Sequence, residues 1–505
     1  MSTLVCVPIA VDTPEQALAD AEHARLAGAD MAEFRLDAFF EEASQIDACI
    51  KLVADSPLPC IATCRPTWEG GEYRGDEPTR LALFERLAGA EHRPRYIDVE
   101  LAARTKPVLA GDDAPGLILS LHDFHGRPAK LTRQLLELRD DADAAVHKVA
   151  FRARSLRDNL ELFEILDHRD RPTIALGMGA YGLMSRVLAP KFGGFLTFAS
   201  LRSEKTTAPG QPTIAELLGL YRFKGITRTT KVFGILGDPV EHSRSPAMHN
   251  AGFERVAFDG VYLPMPVAPG YESLKATLTE LLACNSLDLT GLSVTMPHKE
   301  DLVRLAREQG WAMDGLVEHC GAANTLVREG EGIRVMNTDG PAVVACLQRA
   351  GVDVAGAPVL VLGAGGMAAS CAHALGHAGA HVHVYNRTAE RARALVDKID
   401  RTVHLESLDH LPPMHAVVQC TPIGMAGGPA PGETPISADA LAEAAIIETV
   451  YHPRETPLVK AATARGLRVI DGLDVLVTQA AAQFKAFTGH DAPMELFRQA
   501  AHTGD

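Results

Sequence analysis

Lys148 stands among apolar residues in the run AVHKVAF, and a lysine set inside a β-rich segment reads as a nucleophile better than as a surface charge. Burial and nearby arginines would disfavour a charged amine there and release one able to condense with a ketone. The resulting imine is an electron sink that acidifies a neighbouring C–H and helps a β-hydroxyl leave. Such chemistry needs a proton shuttle; His122, in LSLHDF, is the natural one, with Glu69 able to orient it. Glu33 and Arg35 form an i, i+2 pair that a strand places on one side. Arg65 closes the run PCIATCR, and Arg186 follows PTIALGM.

A second polar set lies further along. Ser243 and Ser245 sit two residues apart in a Pro- and His-rich turn and suit a carboxylate, although paired serines often only cap helices. Thr295 and Lys299 follow in GLSVTMPHKE, Asn324 in GAANTL and Asp339 in MNTDG. Lys299, expected in a loop, draws interest only as part of this set. The segment APVLVLGAGGMAAS then runs a strand into a glycine-rich turn, where Gly363, Gly365 and Gly366 let a pyrophosphate approach a helix N-terminus. The next strand, HVHVYNRT, ends in Asn386, Arg387 and Thr388, with Arg391 a turn later, rather than in the acidic residue that reads the ribose of NAD. Arginines there suit the 2′-phosphate of NADP.

These groups need elements to position them. Up to about Lys224, eight short β-rich runs (LVCVPIA, MAEFRLD, PCIATCR, RYIDVEL, LILSLHD, AVHKVAF, PTIALGM and GFLTFAS) alternate with helical patterns, as in a (β/α)8 TIM barrel. The charged residues fall at strand C-terminal ends, which converge on one mouth in such barrels. A structural ion-pair network accounts for one or two of them but poorly for six at equivalent positions. After a short polar stretch at Gly225–Thr230 a new strand, KVFGILG, begins the second half, in which the glycine-rich turn and the strands around it suit a Rossmann-type dinucleotide fold.

Composition bounds the partners. A net charge of −15 over 505 residues argues against nucleic acid, and no apolar stretch reaches membrane-spanning length. Nine scattered cysteines without a CxxC pair fit a reducing compartment; with no leader expected, the cytoplasm is the default location. Cys60 and Cys64 read as strand packing and His373 and His377 as a plain helix face, so no metal is expected. A homodimer is compatible with all of this.

The segments GADMAEFRLD, CRPTWEGGE, LSLHDF, HKVAF, SRV and APGQPT together resemble type I 3-dehydroquinate dehydratase across essentially the whole first half. The resemblance implies that Lys148 forms the imine and His122 is the general acid/base. Glu33, Arg35, Arg65, Arg186 and Gln211 would hold the substrate's carboxylate and hydroxyls. Thr207 stands where the family usually has Ser and keeps the hydroxyl.

From about Thr229, HSRSP, VTMPHK, GAANT, NTDG, GAGGMA, NRT, TPIGM, VYHPRETPL and DGLDVLVTQAAAQF resemble shikimate dehydrogenase. That resemblance implies a catalytic pair of Lys299 and Asp339, with Ser243, Ser245, Thr295, Asn324, Tyr451 and Gln479 on the substrate. Gly363, Ala364, Gly365, Gly366, Met367, Asn386, Arg387, Thr388, Arg391, Thr421 and Gly472 would bind NADP. The implied domains are a barrel over 1–225, a substrate domain over 229–340 and 475–505, and a Rossmann domain over 341–474. Val335, Ala342 and Gln419-Cys420 depart from the family pattern, and Gln419 is expected to bear on how the nicotinamide is held.

The two activities would be consecutive steps of the shikimate pathway, which leads to aromatic amino acids. A quinate dehydrogenase in the second half is the nearest rival; Ser243, Ser245, Thr295 and Arg387 favour shikimate and NADP. A non-catalytic metabolite sensor should lack one of Lys148, His122, Lys299 or Asp339, and all four are present.

Overall fold

A computed structural model describes residues 2–109, 113–202, 210–399, 401–409 and 411–502. The chain divides into two compact units, Met1–Thr230 and Lys231–Asp505.

The first unit is built on eight strands: β1 (Leu4–Ala10), β2 (Met31–Arg35), β3 (Cys60–Thr63), β4 (Tyr96–Glu100), β5 (Gly116–Asp123), β6 (Ala144–Arg152), β7 (Thr173–Met178) and β8 (Leu196–Phe198). Each pairs in parallel with the next from β1 to β7, and β8 pairs with β1. No ladder joins β7 to β8, where Phe195 N–H donates to Thr173 O at 2.8 Å, so the barrel is nearly closed. Helices follow most strands, but the connection from β4 to β5 carries none among its described residues.

Alternation along the strands sorts the barrel interior into levels. Cys6, Met31, Ile61, Ile118, Val146 and Ile174 form an apolar floor. Two residues further along those strands stand Pro8, Glu33, Thr63, Ser120, Lys148 and Leu176. Two further again, Arg35, Arg65, His122, Ala150 and Met178 reach the C-terminal rim. The floor buries the apolar surface that holds the strands together, and polar groups are left to the upper levels.

The second unit carries two sheets. The first joins β9 (Lys231–Gly237), β10 (Gly260–Pro266), β11 (Leu289–Val294), β12 (Ala312–Met313), β13 (Thr325–Glu329) and β14 (Gly332–Met336) in the order β10-β9-β11-β13-β14-β12. The second is wholly parallel: β15 (Pro358–Leu362), β16 (His381–Tyr385), β17 (Thr402–His404), β18 (Ala416–Gln419), β19 (Ala445–Glu448) and β20 (Val469–Ile470), in the order β17-β16-β15-β18-β19-β20. That order reverses direction between β15 and β18, the switch point at which such sheets bind ligands. The chain then returns to the first sheet: Phe484 and Phe487 of the helix Gly472–Thr488, and Phe497 of the helix Met494–His502, pack in one core with Phe233, Phe253 and Tyr262. No helix among the described residues is long and apolar enough to cross a membrane.

Candidate active sites

The barrel mouth is a cavity of about 90 Å³, and Glu33, Arg35, Arg65, Glu69, His122, Lys148, Arg186 and Gln211 all line it. Lys148 Nζ donates to Asp98 Oδ2 at 2.8 Å and lies 3.5 Å from Glu33 Oε1, with the Phe198 ring 4.7 Å away. Two buried carboxylates thus stand beside this amine, in addition to the nearby arginines expected from the sequence. Arg65 extends the array, donating to Asp98 at 2.8 Å, Glu100 at 2.9 Å and Ser120 Oγ at 2.8 Å. Burial works against the Arg65 charge, but Asp98, Glu100, Glu69 and Glu33 outweigh it and raise its pKa. Burial likewise opposes the Asp98 carboxylate, which Arg65 and Lys148 nevertheless hold well below the usual range. Arg80, wholly buried, ties Glu100 to Glu77 behind them.

His122 Nδ1 faces Glu69 Oε1 at 2.9 Å, and the same oxygen accepts the His122 backbone N–H at 3.1 Å. Burial, then Arg65 and Lys148, push the imidazole pKa well below 6.5, so the ring is neutral at physiological pH. Burial pushes Glu69 up to about 8, against the pull of Arg65. Arg35 is turned onto Asp37 by two bonds of 2.9 and 2.8 Å. Arg186, on the short helix Leu183–Val187, differs from the other cations. It is 3% exposed, donates through Nε to Gly177 O at 3.1 Å, and meets no carboxylate among the described residues. Burial alone pulls its pKa to about 10. Thr207 lies outside the described residues. A larger groove of about 330 Å³ runs outside the barrel, where Arg139 and Arg169 donate to backbone carbonyls.

In the second unit Lys299 is not a loop residue but opens the helix Lys299–Gln309. Its Nζ donates to Asp339 Oδ2 at 2.7 Å, and Asp339 opens the helix Asp339–Arg349. Asn324 Nδ2 donates to Asp339 Oδ1 at 2.8 Å and approaches Gln479 Oε1 at 3.5 Å. Thr295 follows the end of β11 against Gly237, and Ser245, buried, opens the helix Ser245–Arg255 with its N–H on Ser243 Oγ at 3.2 Å. Tyr451 lies after β19, its phenol pKa raised by burial and opposed by the charge of Arg244, which stands between the two serines in the chain.

The dinucleotide-type turn sits at the switch point. Gly363 has φ +117°, a conformation that disfavours a side chain, and a Cβ there would stand 3.2 Å from Cys420 O. Gly365 faces open space, and Gly366 packs so closely that a Cβ would lie 3.4 Å from Lys299 Cβ. The turn therefore adjoins the Lys299–Asp339 pair. Arg387 and Arg391 are exposed beyond β16 and form no ion pair among the described residues. Gly472 is fitted by close approach, since a Cβ would strike Val450 O at 2.1 Å.

Family models match in the same order as these elements. Type I 3-dehydroquinase covers residues 5–228, the shikimate dehydrogenase substrate-binding domain 235–326, shikimate/quinate 5-dehydrogenase 346–423, and the shikimate 5′-dehydrogenase C-terminal domain 472–502. The chain is 37% identical to the chloroplastic bifunctional 3-dehydroquinate dehydratase/shikimate dehydrogenase of Arabidopsis thaliana, over 98% of this chain and 84% of that one. It belongs to the bifunctional 3-dehydroquinate dehydratase/shikimate dehydrogenase family. The shikimate biosynthesis protein AroDE of Chlamydia pneumoniae is 30% identical over 90% of this chain and 89% of its own. Among solved structures, a shikimate dehydrogenase in complex with NADP+ matches 55% of this chain and 96% of its own, at 31% identity and a TM-score of 0.50.

Within the dehydratase half, sequence reasoning missed Asp98, Glu100 and Ser120. The signal was present: Asp98 and Glu100 repeat in RYIDVEL the i, i+2 spacing that singled out Glu33 and Arg35. In the dehydrogenase half Gln419 is fully buried. Its Nε2 donates to Thr421 O and Ile423 O at 3.1 and 3.0 Å, and its Oε1 accepts Thr421 N–H and Oγ1–H at 2.8 and 2.9 Å. Four bonds engage this amide in folding the Thr421–Ile423 turn. Val335 is buried within β14 between β13 and β12, and Ala342 is buried in the helix Asp339–Arg349.

Proposed function

We propose that the barrel dehydrates 3-dehydroquinate through an imine on Lys148, and that Lys299 and Asp339 serve the reduction of the resulting 3-dehydroshikimate to shikimate with NADPH. The chain is a bifunctional enzyme of the shikimate pathway, a lyase joined to an NADP-dependent oxidoreductase. The observation that carries the residue assignment is the rim of the barrel: a buried amine, a neutral imidazole and a buried guanidinium without an acidic partner among the described residues line one cavity.

Arg186 receives the substrate carboxylate, which relieves a buried cation that meets no carboxylate among the described residues. Lys148 attacks the ketone and water leaves as the imine forms, Asp98 and Glu33 holding the nitrogen in place. The neutral His122 takes the proton from the carbon beside the imine, electrons move into the C=N bond, and the β-hydroxyl departs as water with a proton returned by His122. Hydrolysis of the imine frees the amine. Arg65, spent on Asp98 and Glu100, acts on the substrate chiefly through the field of this array.

In the dehydrogenase half, the open space at Gly365, the left-handed Gly363 and two arginines beyond β16 without an ion pair among the described residues fit a dinucleotide carrying a 2′-phosphate. NADPH, when bound, supplies a hydride for the ketone carbon. Lys299 delivers a proton to the oxygen that becomes the hydroxyl, and Asp339 orients it. Ser243, Ser245, Thr295, Asn324, Tyr451 and Gln479 hold the substrate, with Thr207 and Gln211 serving the other site. The barrel ends near Gly225, and the substrate domain combines 229–340 with 475–505 around the Rossmann domain. All nine cysteines are free, in keeping with a cytoplasmic location.

Purified chain given 3-dehydroquinate and NADPH should show enone formation at once, followed by cofactor oxidation. Cofactor oxidation without a prior enone signal would overturn the order of steps.

A further inference from the structure

Behind the Lys299–Asp339 pair runs a line of buried polar groups whose hydrogen bonds all point one way. Two backbone groups set that direction. Asn324 C=O can only accept, and it takes a hydrogen from Gln483 Nε2 at 3.0 Å. Gln483 Oε1 must therefore face Ser293, whose hydroxyl donates to it at 2.7 Å. With its proton so used, Ser293 accepts from the Tyr262 hydroxyl at 2.6 Å. On the other side Gln483 Nε2 also donates to Thr325 Oγ1 at 3.0 Å, leaving the Thr325 hydroxyl to donate to Asn324 Oδ1 at 2.8 Å. The second backbone group, Thr338 N–H, can only donate, and it reaches the same Oδ1 at 2.9 Å. The Asn324 amide is thus held with its NH2 towards Asp339 Oδ1, and Asp339 keeps Oδ2 for Lys299.

We infer that Gln483 and Thr325 are positioning residues of the dehydrogenase: they lock the Asn324 amide in the one orientation that donates to Asp339. Neither touches Lys299. Tyr262, Ser293, Gln483, Thr325 and Asn324 are all at most 4% exposed, so water is poorly placed to replace a lost partner. A reversed Asn324 amide would set a carbonyl oxygen against the Asp339 carboxylate and turn the NH2 against the Thr338 N–H, two repulsions at once. Gln483 reinforces that exclusion from a helix far along the chain, by fixing the Thr325 hydroxyl as a donor to Asn324 Oδ1. The inference rests on the assignment of Lys299 and Asp339 to the reaction.

Both steps are tested on the full chain by shikimate oxidation with NADP+, together with NADPH affinity from cofactor fluorescence. Thr325→Val keeps the side-chain shape and removes the hydroxyl, and should lower kcat roughly 3- to 10-fold. Thr325→Ser keeps the hydroxyl and should hold the parental kcat. Gln483→Met, similar in length but without hydrogen bonds, should lose about 100-fold, because it strands the buried Ser293 hydroxyl and takes the donor from Thr325 Oγ1 as well. NADPH affinity should stay parental in all three. Parental kcat in Thr325→Val, an equal loss in Thr325→Ser, or a loss accompanied by weakened NADPH binding would each overturn the positioning role. Lys299→Ala separates the two readings: if it retains turnover, the assignment of the catalytic pair fails; if it is inactive while Thr325→Val is unimpaired, only the positioning inference fails.

Discussion

Replacing Arg186 by methionine should make the barrel more stable and less able to bind its substrate. Arg186 is 3% exposed, and burial alone lowers its pKa to about 10, below the usual guanidinium value. Because the folded pKa lies below the unfolded one, the charge destabilises the fold at every pH below about 10, and the penalty fades only as pH rises through that value. At neutral pH the penalty is about 3 kcal/mol. Methionine removes it and also removes the bond from Nε to Gly177 O, worth about 1 kcal/mol. The net expectation is a gain of about 2 kcal/mol, offset in function by the loss of a charge-assisted contact worth about 1.5–3 kcal/mol, or roughly 10- to 100-fold in KM for 3-dehydroquinate. Urea titration followed by hydrogen exchange on peptides from residues 1–230 reads the stability of this unit, and initial rates of enone formation read the affinity. An Arg186→Met protein with a destabilised barrel and a parental KM would refute the reasoning, because Arg186 would then be structural and its charge already compensated.

Borohydride added with 3-dehydroquinate should inactivate the dehydratase and place the ligand mass on a peptide containing Lys148; Lys148→Arg should be as inactive as Lys148→Ala, since a guanidinium forms no such imine. His122 is held neutral by burial, then by Arg65 and Lys148, so dehydratase activity should persist as pH falls through 6.5; a rate that titrates at 6.5 would show an imidazole exposed to water. Arg387→Ala should raise KM for NADPH roughly 10- to 100-fold and that for NADH little, and equal effects would show that Arg387 does not read the 2′-phosphate. Lys299→Ala should accumulate 3-dehydroshikimate without oxidising NADPH, Lys148→Ala should reduce only added 3-dehydroshikimate, and a mixture of the two should restore the sequence; loss of dehydratase activity in Lys299→Ala would mean coupled sites.

Period-2 alternation was legible in the chain itself. Once MAEFRLD and AVHKVAF are read as strands, Glu33 and Arg35 must share a side, and Lys148 must point away from His147 and Val149. The glycine turn after β15 and the arginines after β16 were legible for the same reason: local backbone geometry needs those residues wherever the element ends. What escaped was partnership. Asp98 and Glu100 were visible as charges in a strand, but which cation each would meet depends on the stagger and closure of the barrel, which set Asp98 against Lys148 50 positions away. Lys299 reads locally as a loop lysine and becomes half of an ion pair only because two helices begin at the same place. Gln483, 159 positions from Asn324, carries no local mark that separates it from a surface residue of an amphipathic helix. A hydrogen bond or an ion pair gains its strength from the exclusion of water, and burial at a point where distant segments meet is a property of the folded chain alone.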